Sequence, residues 1–232
     1  MQTVPDGSRI LTPTLSQSTG RGRKGAALLW FLAIAIAAAV DASAAHLVRD
    51  SGLEQFFREH RTLAAMLKSP GTYYFTIAIA VIVGFAHRDK WRAGIFLLLA
   101  TAVSGVNGAV KWIVGRHRPF KPLDGSGRFA PFEFHPFPQD GKNLCFPSGH
   151  ACLAFATAAA LGMLWPRWRW AFYLGAAIVA FERVAENAHW LSDSVAAAAL
   201  GIVGVLLIRK LDERFALLIP RDPLLQRAGQ RQ

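Results

Sequence analysis

The sequence has few cysteines and few charged residues for its length, and these shortages exclude several classes of protein. Only 2 of the 232 residues are cysteine, which excludes a small scaffold held together by disulfides. Charged residues make up 18% of the chain, and so apolar a chain is not intrinsically disordered. No segment shows the apolar–polar alternation of a strand, and no internal repeat is visible. The chain therefore reads as one helical domain.

Apolar residues are abundant instead. They make up 53% of the sequence before its 20 glycines are counted, more than the roughly 45–50% of a soluble domain with glycine included. The formal net charge is +11. In so apolar a chain we attribute this charge to membrane topology, and we predict no nucleic-acid partner.

Six apolar segments decide the predicted fold class. A bilayer is spanned by about 20 apolar residues, and the segments lie at 26–47, 72–87, 93–114, 150–165, 170–184 and 193–208. They predict an all-α fold, a six-transmembrane helical bundle over residues 26–208, with basic cytoplasmic segments at 1–25 and 209–232. The last three segments are short and rich in alanine and glycine, so each alone would also suit a buried helix of a soluble protein.

The distribution of Lys and Arg predicts the orientation. More of them lie on the side of the N-terminus than on the other, so the positive-inside rule places both termini in the cytoplasm. The segment Ala42-Ser43-Ala44 also fits a signal-peptide cleavage site, although the long polar head before the first apolar run favours an uncleaved helix. We predict an integral protein of the plasma membrane, the inner membrane of a bacterium.

The first outer loop contains a helical pattern over residues 52–68. Leu53, Phe56, Phe57, Leu63 and Leu67 follow helical spacing, with charged residues between them. This pattern predicts an amphipathic helix that lies in the membrane interface. A helix packed on the outer mouth of the bundle fits the pattern equally well.

Two cations stand at the end of the third segment. Lys111 and Arg118 are seven residues apart, about two helical turns, and share one face if the helix continues that far. Two fixed cations on one face suit a multiply charged anion. Taken alone, the pair is explained slightly better as flanking charge at a membrane boundary.

A Pro-Ser-Gly-His sequence, residues 147–150, opens the fourth segment. A turn that leads into a helix presents free backbone N–H groups and the positive end of the helix dipole, which favours bound phosphate. His150 would stand in the first turn and could exchange a proton with a group bound there. The tetrapeptide alone would equally suit a capped helix start.

A histidine and an aspartate lie between the fifth and sixth segments, preceded by Arg183. His189 and Asp193 are at positions i and i+4, adjacent on one face if the stretch is helical. A carboxylate bonded to one ring nitrogen fixes the tautomer and leaves the other nitrogen as a nucleophile or base. Such a pair alone is more often structural. No Cys/His cluster with zinc spacing accompanies it, so we predict no metal.

The six-helix topology gathers these three places. The third and fifth segments end, and the fourth and sixth begin, on the same outer side of the predicted bundle. The topology came from hydropathy alone, so the convergence is independent of the motifs. The residues brought together are Lys111, Arg118, Ser148, Gly149, His150, Arg183, His189 and Asp193.

The three motifs resemble those of the type 2 phosphatidic acid phosphatases, the PAP2 membrane lipid phosphatases. That family's pattern is K-x6-RP, then PSGH, then SR-x5-H-x3-D, and every spacing is kept here between Lys111 and Asp193. With the six-helix plan, the resemblance extends over about 26–208. One position departs, because Glu182 stands where the family has serine. An acid beside a phosphate-binding arginine should repel substrate unless it points away.

The resemblance implies a role for each site residue. His189 would attack phosphorus and form a phosphohistidine, with Asp193 orienting its ring. His150 would protonate the leaving group and then activate water. The phosphate oxygens would be held by Lys111, Arg118, Ser148, Gly149 and Arg183. Such positioned donors can replace the usual magnesium, so we expect a metal-independent hydrolase without cofactor.

The expected substrate is a lipid phosphate or diphosphate, taken at the outer membrane face while its tail stays in the bilayer. A phosphotransferase that passes the phosphoryl group to another lipid or to a sugar would use the same phosphohistidine. A transporter or a non-catalytic lipid-binding protein would not require both histidines, and a soluble phosphatase relative would lack the long apolar segments.

Two further features of the region around the second motif carry expectations. The loop 119–147 contains several phenylalanines that would rim a lateral entrance for lipid chains or, slightly better, pack the loop on the bundle: Phe120, Phe129, Phe132, Phe134, Phe137 and Phe146. Cys145 and Cys152 flank the phosphate loop. We expect free thiols, because a disulfide would strain that loop.

Overall fold

Helices form nearly all of the regular structure in the computed structural model, which describes residues 20–86, 91–119, 131–138 and 143–215. Within these ranges the extended pairings are two isolated bridges, Arg116 with Phe134 and His117 with Leu144. The predicted all-α class is confirmed. The α-helices are α1 Gly20–Ala39, α2 Asp41–Asp50, α3 Leu53–Glu59, α4 Arg61–Lys68, α5 Tyr73–Ala86, α6 Trp91–Val114, α7 Gly149–Leu164, α8 Arg169–Ala185 and α9 Leu191–Phe215.

Helix α7 is the centre of the bundle. Its small side chains are buried on nearly every face, from Ala151 to Ala160, as expected of a helix that is apolar all round. It packs against α6, α8 and α9. The approach to α9 is close, because a Cβ on Gly201 would lie 2.5 Å from the Cys152 carbonyl oxygen. Small residues let these helix backbones come together.

The outer surface of the bundle is apolar. Large side chains point outward, among them Phe31, Tyr74 and Phe85, the last two 87% exposed, which is the surface expected of a protein in lipid. Helices α6 and α9 are long and apolar enough to cross a membrane, and two bent helix pairs each pass the same test together. These are the features of an integral membrane protein.

Six membrane crossings remain a prediction. The six predicted segments coincide with helices, but α7 has 16 residues and α8 has 17. At 1.5 Å per residue each is roughly 25 Å long, somewhat shorter than the roughly 30 Å hydrocarbon core of a bilayer.

The first and last segments differ from their predicted bounds. Segment 26–47 is divided at Val40, where α1 and α2 meet with a bend of 51°. The bend allows the Asp41 side chain, 0% exposed, to turn into the protein. At the other end α9 continues past residue 208 to Phe215. The parts of the predicted flanking segments at 1–19 and 216–232 lie outside the described residues.

The first outer loop contains two short helices where one was predicted. Helix α3 ends at Glu59 and α4 begins at Arg61, with His60 in a non-helical conformation between them. Phe57 and Ala64 are buried together with Ala185 of α8. The predicted continuous helix over 52–68 is therefore wrong, and the alternative of packing on the bundle describes these contacts. An interfacial position in the membrane remains a prediction.

Candidate active site

The first motif does not lie on one helix. Helix α6 ends at Val114, and Gly115 follows with φ +65°, the left-handed conformation that commonly terminates helices. A Cβ at Gly115 would lie 1.8 Å from the His135 carbonyl oxygen, so only glycine fits there. The expectation that Lys111 and Arg118 share a helix face is therefore wrong, because Arg118 belongs to the extended segment after the helix.

That extended segment joins all three motifs through its backbone. The Arg116 carbonyl accepts the Cys145 N–H at 2.9 Å, and the His117 carbonyl accepts the indole N–H of Trp190 at 2.8 Å. The Lys111 ammonium donates to the Cys145 carbonyl at 3.0 Å. The end of α6, the approach to α7 and the turn before α9 are thus held together at one end of the bundle.

The second motif forms the N-terminus of α7. Ser148 occupies the N-cap position, and its backbone N–H donates to the Asp193 carbonyl at 3.2 Å. The Asn107 amide lies 3.4 Å from the Pro147 carbonyl oxygen. In the described part of the chain, the buried Ser148 hydroxyl has no hydrogen-bond partner, so it is available to a ligand. Gly149 and His150 begin the helix, as the sequence predicted.

The third motif brings His189 and Asp193 together, although His189 precedes α9. The His189 Nδ1 atom lies 3.5 Å from Asp193 Oδ2, and the histidine is 3% exposed. This separation exceeds that of a well-formed hydrogen bond, and such contacts often tighten when substrate binds. Asp193 Oδ2 also accepts the Trp190 backbone N–H at 2.9 Å, which caps α9 and fixes the carboxylate.

Burial decides the protonation state of His189. It lowers the pKa of this imidazole to about 3, although the adjacent Asp193 favours the protonated form. A desolvated imidazole loses its proton more readily because the charged form is penalised. His189 is therefore neutral at neutral pH. With Nδ1 facing the carboxylate, the lone pair of a nucleophile belongs to Nε2.

Arg116 is a site residue that the sequence analysis missed. Its guanidinium donates at 2.7 Å to Asp193 Oδ1, to the Ser192 hydroxyl and to Asp41 Oδ2, and its Nε donates at 2.8 Å to the Pro131 carbonyl. Arg116 is 3% exposed and both aspartates are 0% exposed. A second carboxylate from α2 thus completes a buried network behind the His189–Asp193 pair.

The signal for this network was present but ambiguous. Arg116 lies inside the first motif, two residues before Arg118, and Asp41 is an isolated acid directly after an apolar run. Asp41 also accepts the Ser192 backbone N–H at 2.9 Å, near the start of α9. Nothing local in the sequence pairs two residues 75 positions apart.

Arg183 is engaged by acids on its own helix. It donates to both carboxylate oxygens of Glu182, at 2.6 and 2.9 Å, and Nη2 also contacts Glu186. Glu182 is 0% exposed and faces the arginine, which answers the question of where this unusual acid points. The Nη1 group is left to bind an anion.

The predicted site residues border two cavities. Arg118 and Arg183 line a polar cavity of about 590 Å³ beneath α3 and α4. Lys111, Gly149 and His150 line a mostly apolar groove of about 370 Å³, together with Tyr73 and Tyr74 at the start of α5. The His189–Asp193 pair and Ser148 are buried. The arrangement can hold an anion at a helix N-terminus among cations, with one neutral histidine and a second histidine nearby.

The loop aromatics and the cysteines are partly described. Phe132 and Phe137 are 66% and 71% exposed, whereas Phe134 stacks near the Arg116 guanidinium at 5.9 Å. Phe120 and Phe129 lie outside the described residues. Cys145 and Cys152 are buried free thiols, as expected. Within the described ranges, no three His, Cys, Asp or Glu side chains group closely enough to hold a metal ion.

Comparisons with known proteins agree on one family. The model of the PAP2 superfamily matches residues 91–216. A lipid A 1-phosphatase of Rhizobium johnstonii is 34% identical over 131 residues, 56% of this chain and 52% of that protein. An undecaprenyl-diphosphatase of Sulfolobus acidocaldarius is 28% identical over 141 residues, 60% of this chain and 64% of that protein. The chain thus spans about half the length of the first relative and less than two thirds of the second.

A solved structure shows the same fold. It is the transmembrane PAP2 type phosphatidylglycerolphosphate phosphatase from Bacillus subtilis, 22% identical, with a TM-score of 0.51 over 81% of this chain and 96% of that one. The matched family region begins with α6 and ends just after α9, and it contains all three motifs. The chain belongs to the PAP2 superfamily.

Proposed function

We propose that the protein is a metal-independent phosphatase that hydrolyses a lipid phosphate or diphosphate through a phosphohistidine intermediate. The observation that carries the proposal is the meeting of the neutral, buried His189 and its partner Asp193 with the N-terminus of α7. The names of the relatives, a lipid A 1-phosphatase and an undecaprenyl-diphosphatase, support a phosphorylated lipid as substrate.

The proposed reaction has two displacement steps. In the first, His189 Nε2 forms a bond to phosphorus as the bond to the leaving oxygen breaks, and His150 donates a proton to that oxygen. In the second, His150 takes a proton from water, whose oxygen attacks phosphorus as the P–N bond breaks. Inorganic phosphate leaves and His189 returns to its neutral form. Asp193 holds the ring and stabilises its charge while the intermediate exists.

The non-bridging oxygens need donors in both steps. We assign them to Lys111, Arg118 and Arg183, to the Ser148 hydroxyl and to the Gly149 N–H. The negative charge of the transferring group is then met by fixed cations and a helix N-terminus, which is the main catalytic requirement of phosphoryl transfer.

The apolar groove supports a lipid substrate. Gly71, Tyr73 and Leu153 line it together with His150, so an acyl or prenyl chain in the groove would hold its phosphate beside the proposed acid. We place the site at the outer face of the plasma membrane, with both termini in the cytoplasm. The distribution of Lys and Arg in the sequence supports this orientation.

Phosphate release by the purified protein tests the proposal. The protein is assayed in detergent with EDTA against phosphatidic acid, phosphatidylglycerophosphate, a polyprenyl diphosphate and lipid A. We expect release of inorganic phosphate from at least one of them. Transfer of the phosphoryl group to an added lipid or sugar acceptor, without release to water, would favour the phosphotransferase alternative.

Removal of the Glu186 charge should improve substrate binding. Glu186 contacts the Arg183 guanidinium and is 22% exposed, so we expect Glu186→Gln to lower the KM for a lipid phosphate roughly threefold by freeing a donor. Steady-state kinetics measure this change. Glu213→Gln, which alters an exposed acid on α9, is the control. An unchanged or higher KM would mean that Glu186 does not compete with substrate.

The loop aromatics provide a test of lipid entry. If Phe132 and Phe134 rim the entrance, replacing both with serine should raise the KM for long-chain lipid phosphates roughly tenfold, because contact with the chain is lost. A short-chain substrate should be affected less. Thermal unfolding of the double variant controls for stability. An unchanged KM in a stable protein would show that these rings only pack the loop.

A further inference from the structure

The polar cavity beneath α3 and α4 is lined by more cations than the transferred phosphoryl group requires. Arg118 and Arg183 line it from the site. Arg58, Arg61 and Lys68 line it from the opposite wall. These three residues lie outside the matched family region, which begins at residue 91. None of them belongs to the three motifs.

The charge on the far wall is only partly neutralised. Glu54 pairs with Arg58 and accepts the Asn187 amide at 2.8 Å, and Glu186 lies 3.7 Å from the Lys68 ammonium. In the portion of the chain that the structure describes, no carboxylate lies within ion-pair distance of Arg61. Glu54 and Glu186 are outnumbered by the five basic residues on the cavity wall. The cavity therefore keeps an excess of positive charge.

The position of α3 and α4 is fixed by packing. Phe57 and Ala64 are buried against Ala185, only two residues after Arg183. The far wall is thus anchored to the helix that carries a proposed phosphate-binding arginine. Cations held in this way can bind an anion without first ordering a loop.

We propose that this cavity is a second anion subsite, so that the preferred substrate is a lipid with two phosphoryl groups. The inference rests on the proposed function, because one group is the one transferred to His189. The other group is bound by Arg61, Lys68 and Arg58. It is either directly attached to the first, as in a diphosphate, or carried elsewhere on the headgroup.

Matched substrate pairs distinguish these sources. One pair is farnesyl phosphate and farnesyl diphosphate, which share a tail. The other is a glycolipid phosphorylated at both ends of its disaccharide and the same glycolipid with only the phosphate that is released. For each pair the selectivity is the ratio of kcat/KM for the two-phosphate lipid to that for the one-phosphate lipid. We expect a ratio of roughly ten or more in the pair that matches the natural spacing.

Variants locate the preference in the cavity. Arg61→Ala should lower the selectivity ratio roughly fivefold, and Arg61→Glu should lower it further by repulsion. Arg49→Ala is the control, since Arg49 is an exposed arginine on α2 that does not line the cavity. A ratio near one in both pairs, or a ratio that Arg61→Glu leaves unchanged, would overturn the subsite.

Binding separates this proposal from the proposed function. The affinities of both members of each pair are measured for His189→Ala protein with otherwise unchanged residues and for the same protein carrying Arg61→Glu. Tighter binding of the two-phosphate lipid that is lost with Arg61→Glu supports the subsite even if the wild type releases no phosphate. Phosphate release without any such difference would retain the phosphatase and reject the subsite.

Discussion

Replacing His189 with alanine is expected to reduce phosphate release by at least roughly a thousandfold, because it removes the proposed nucleophile. The remaining cations and the N-terminus of α7 can still bind the phosphate. No other described histidine has the same combination of 3% exposure and a facing carboxylate at 3.5 Å. Since burial lowers the pKa of His189 to about 3, the loss should be equally large at pH 5 and pH 8, where the wild-type imidazole is neutral before substrate binds.

The intermediate gives this prediction a second measurement. Wild-type protein mixed with a lipid labelled in its phosphate and quenched in base should retain label on the chain, and the label should be released by acid, as expected of a phosphohistidine. His189→Ala should retain none. His46→Ala, which alters an exposed histidine on α2, should behave as wild type. Label retained by His189→Ala would place the nucleophile elsewhere and make His150 the next candidate.

The sequence predicted where the site residues meet, and the reason is that hydropathy and motif spacing are independent signals. Six apolar segments placed the ends of the third and fifth beside the starts of the fourth and sixth, and the backbone contacts of Cys145, Ser148 and Trp190 join those ends. Whether Lys111, His150 and the other residues perform their assigned steps remains a prediction.

The local errors have identifiable causes. The expected helix through Lys111 and Arg118 ignored Gly115, whose positive φ ends α6 and whose missing Cβ admits the His135 carbonyl. The expected helix over 52–68 ignored the break at His60, whose ring instead stacks on Phe56. Both errors came from extending a helical period across a residue with another conformation.

Asp41 could not have been predicted from a local pattern. An acid beside an apolar run has several explanations, and its partner Arg116 is 75 residues away in sequence. Only the bend between α1 and α2 brings the carboxylate beneath the start of α9. Tertiary contacts of this kind appear once the helices are packed, because no periodicity or short motif encodes them.

The network around Arg116 leads to the second large effect. Arg116→Ala would leave the carboxylates of Asp41 and Asp193 buried without their shared cation, since both accept hydrogen bonds from its guanidinium at 2.7 Å. Removing one member of a buried ion pair commonly costs about 3–5 kcal/mol. We expect a loss of that size in the free energy of unfolding in detergent. Arg209→Ala breaks an exposed pair with Glu213 and should cost at most about 1 kcal/mol.

A double variant separates charge from shape. If the uncompensated Asp41 carboxylate causes much of the loss, Asp41→Asn combined with Arg116→Gln should be more stable than Arg116→Gln alone. Additive losses would show instead that the two side chains act independently. Arg116→Lys addresses the site, because a single ammonium cannot hold Asp193, Ser192 and Asp41 in the same geometry. In protein that remains folded, kcat should fall while KM changes little, since Arg116 orients Asp193 from behind the phosphate-binding residues.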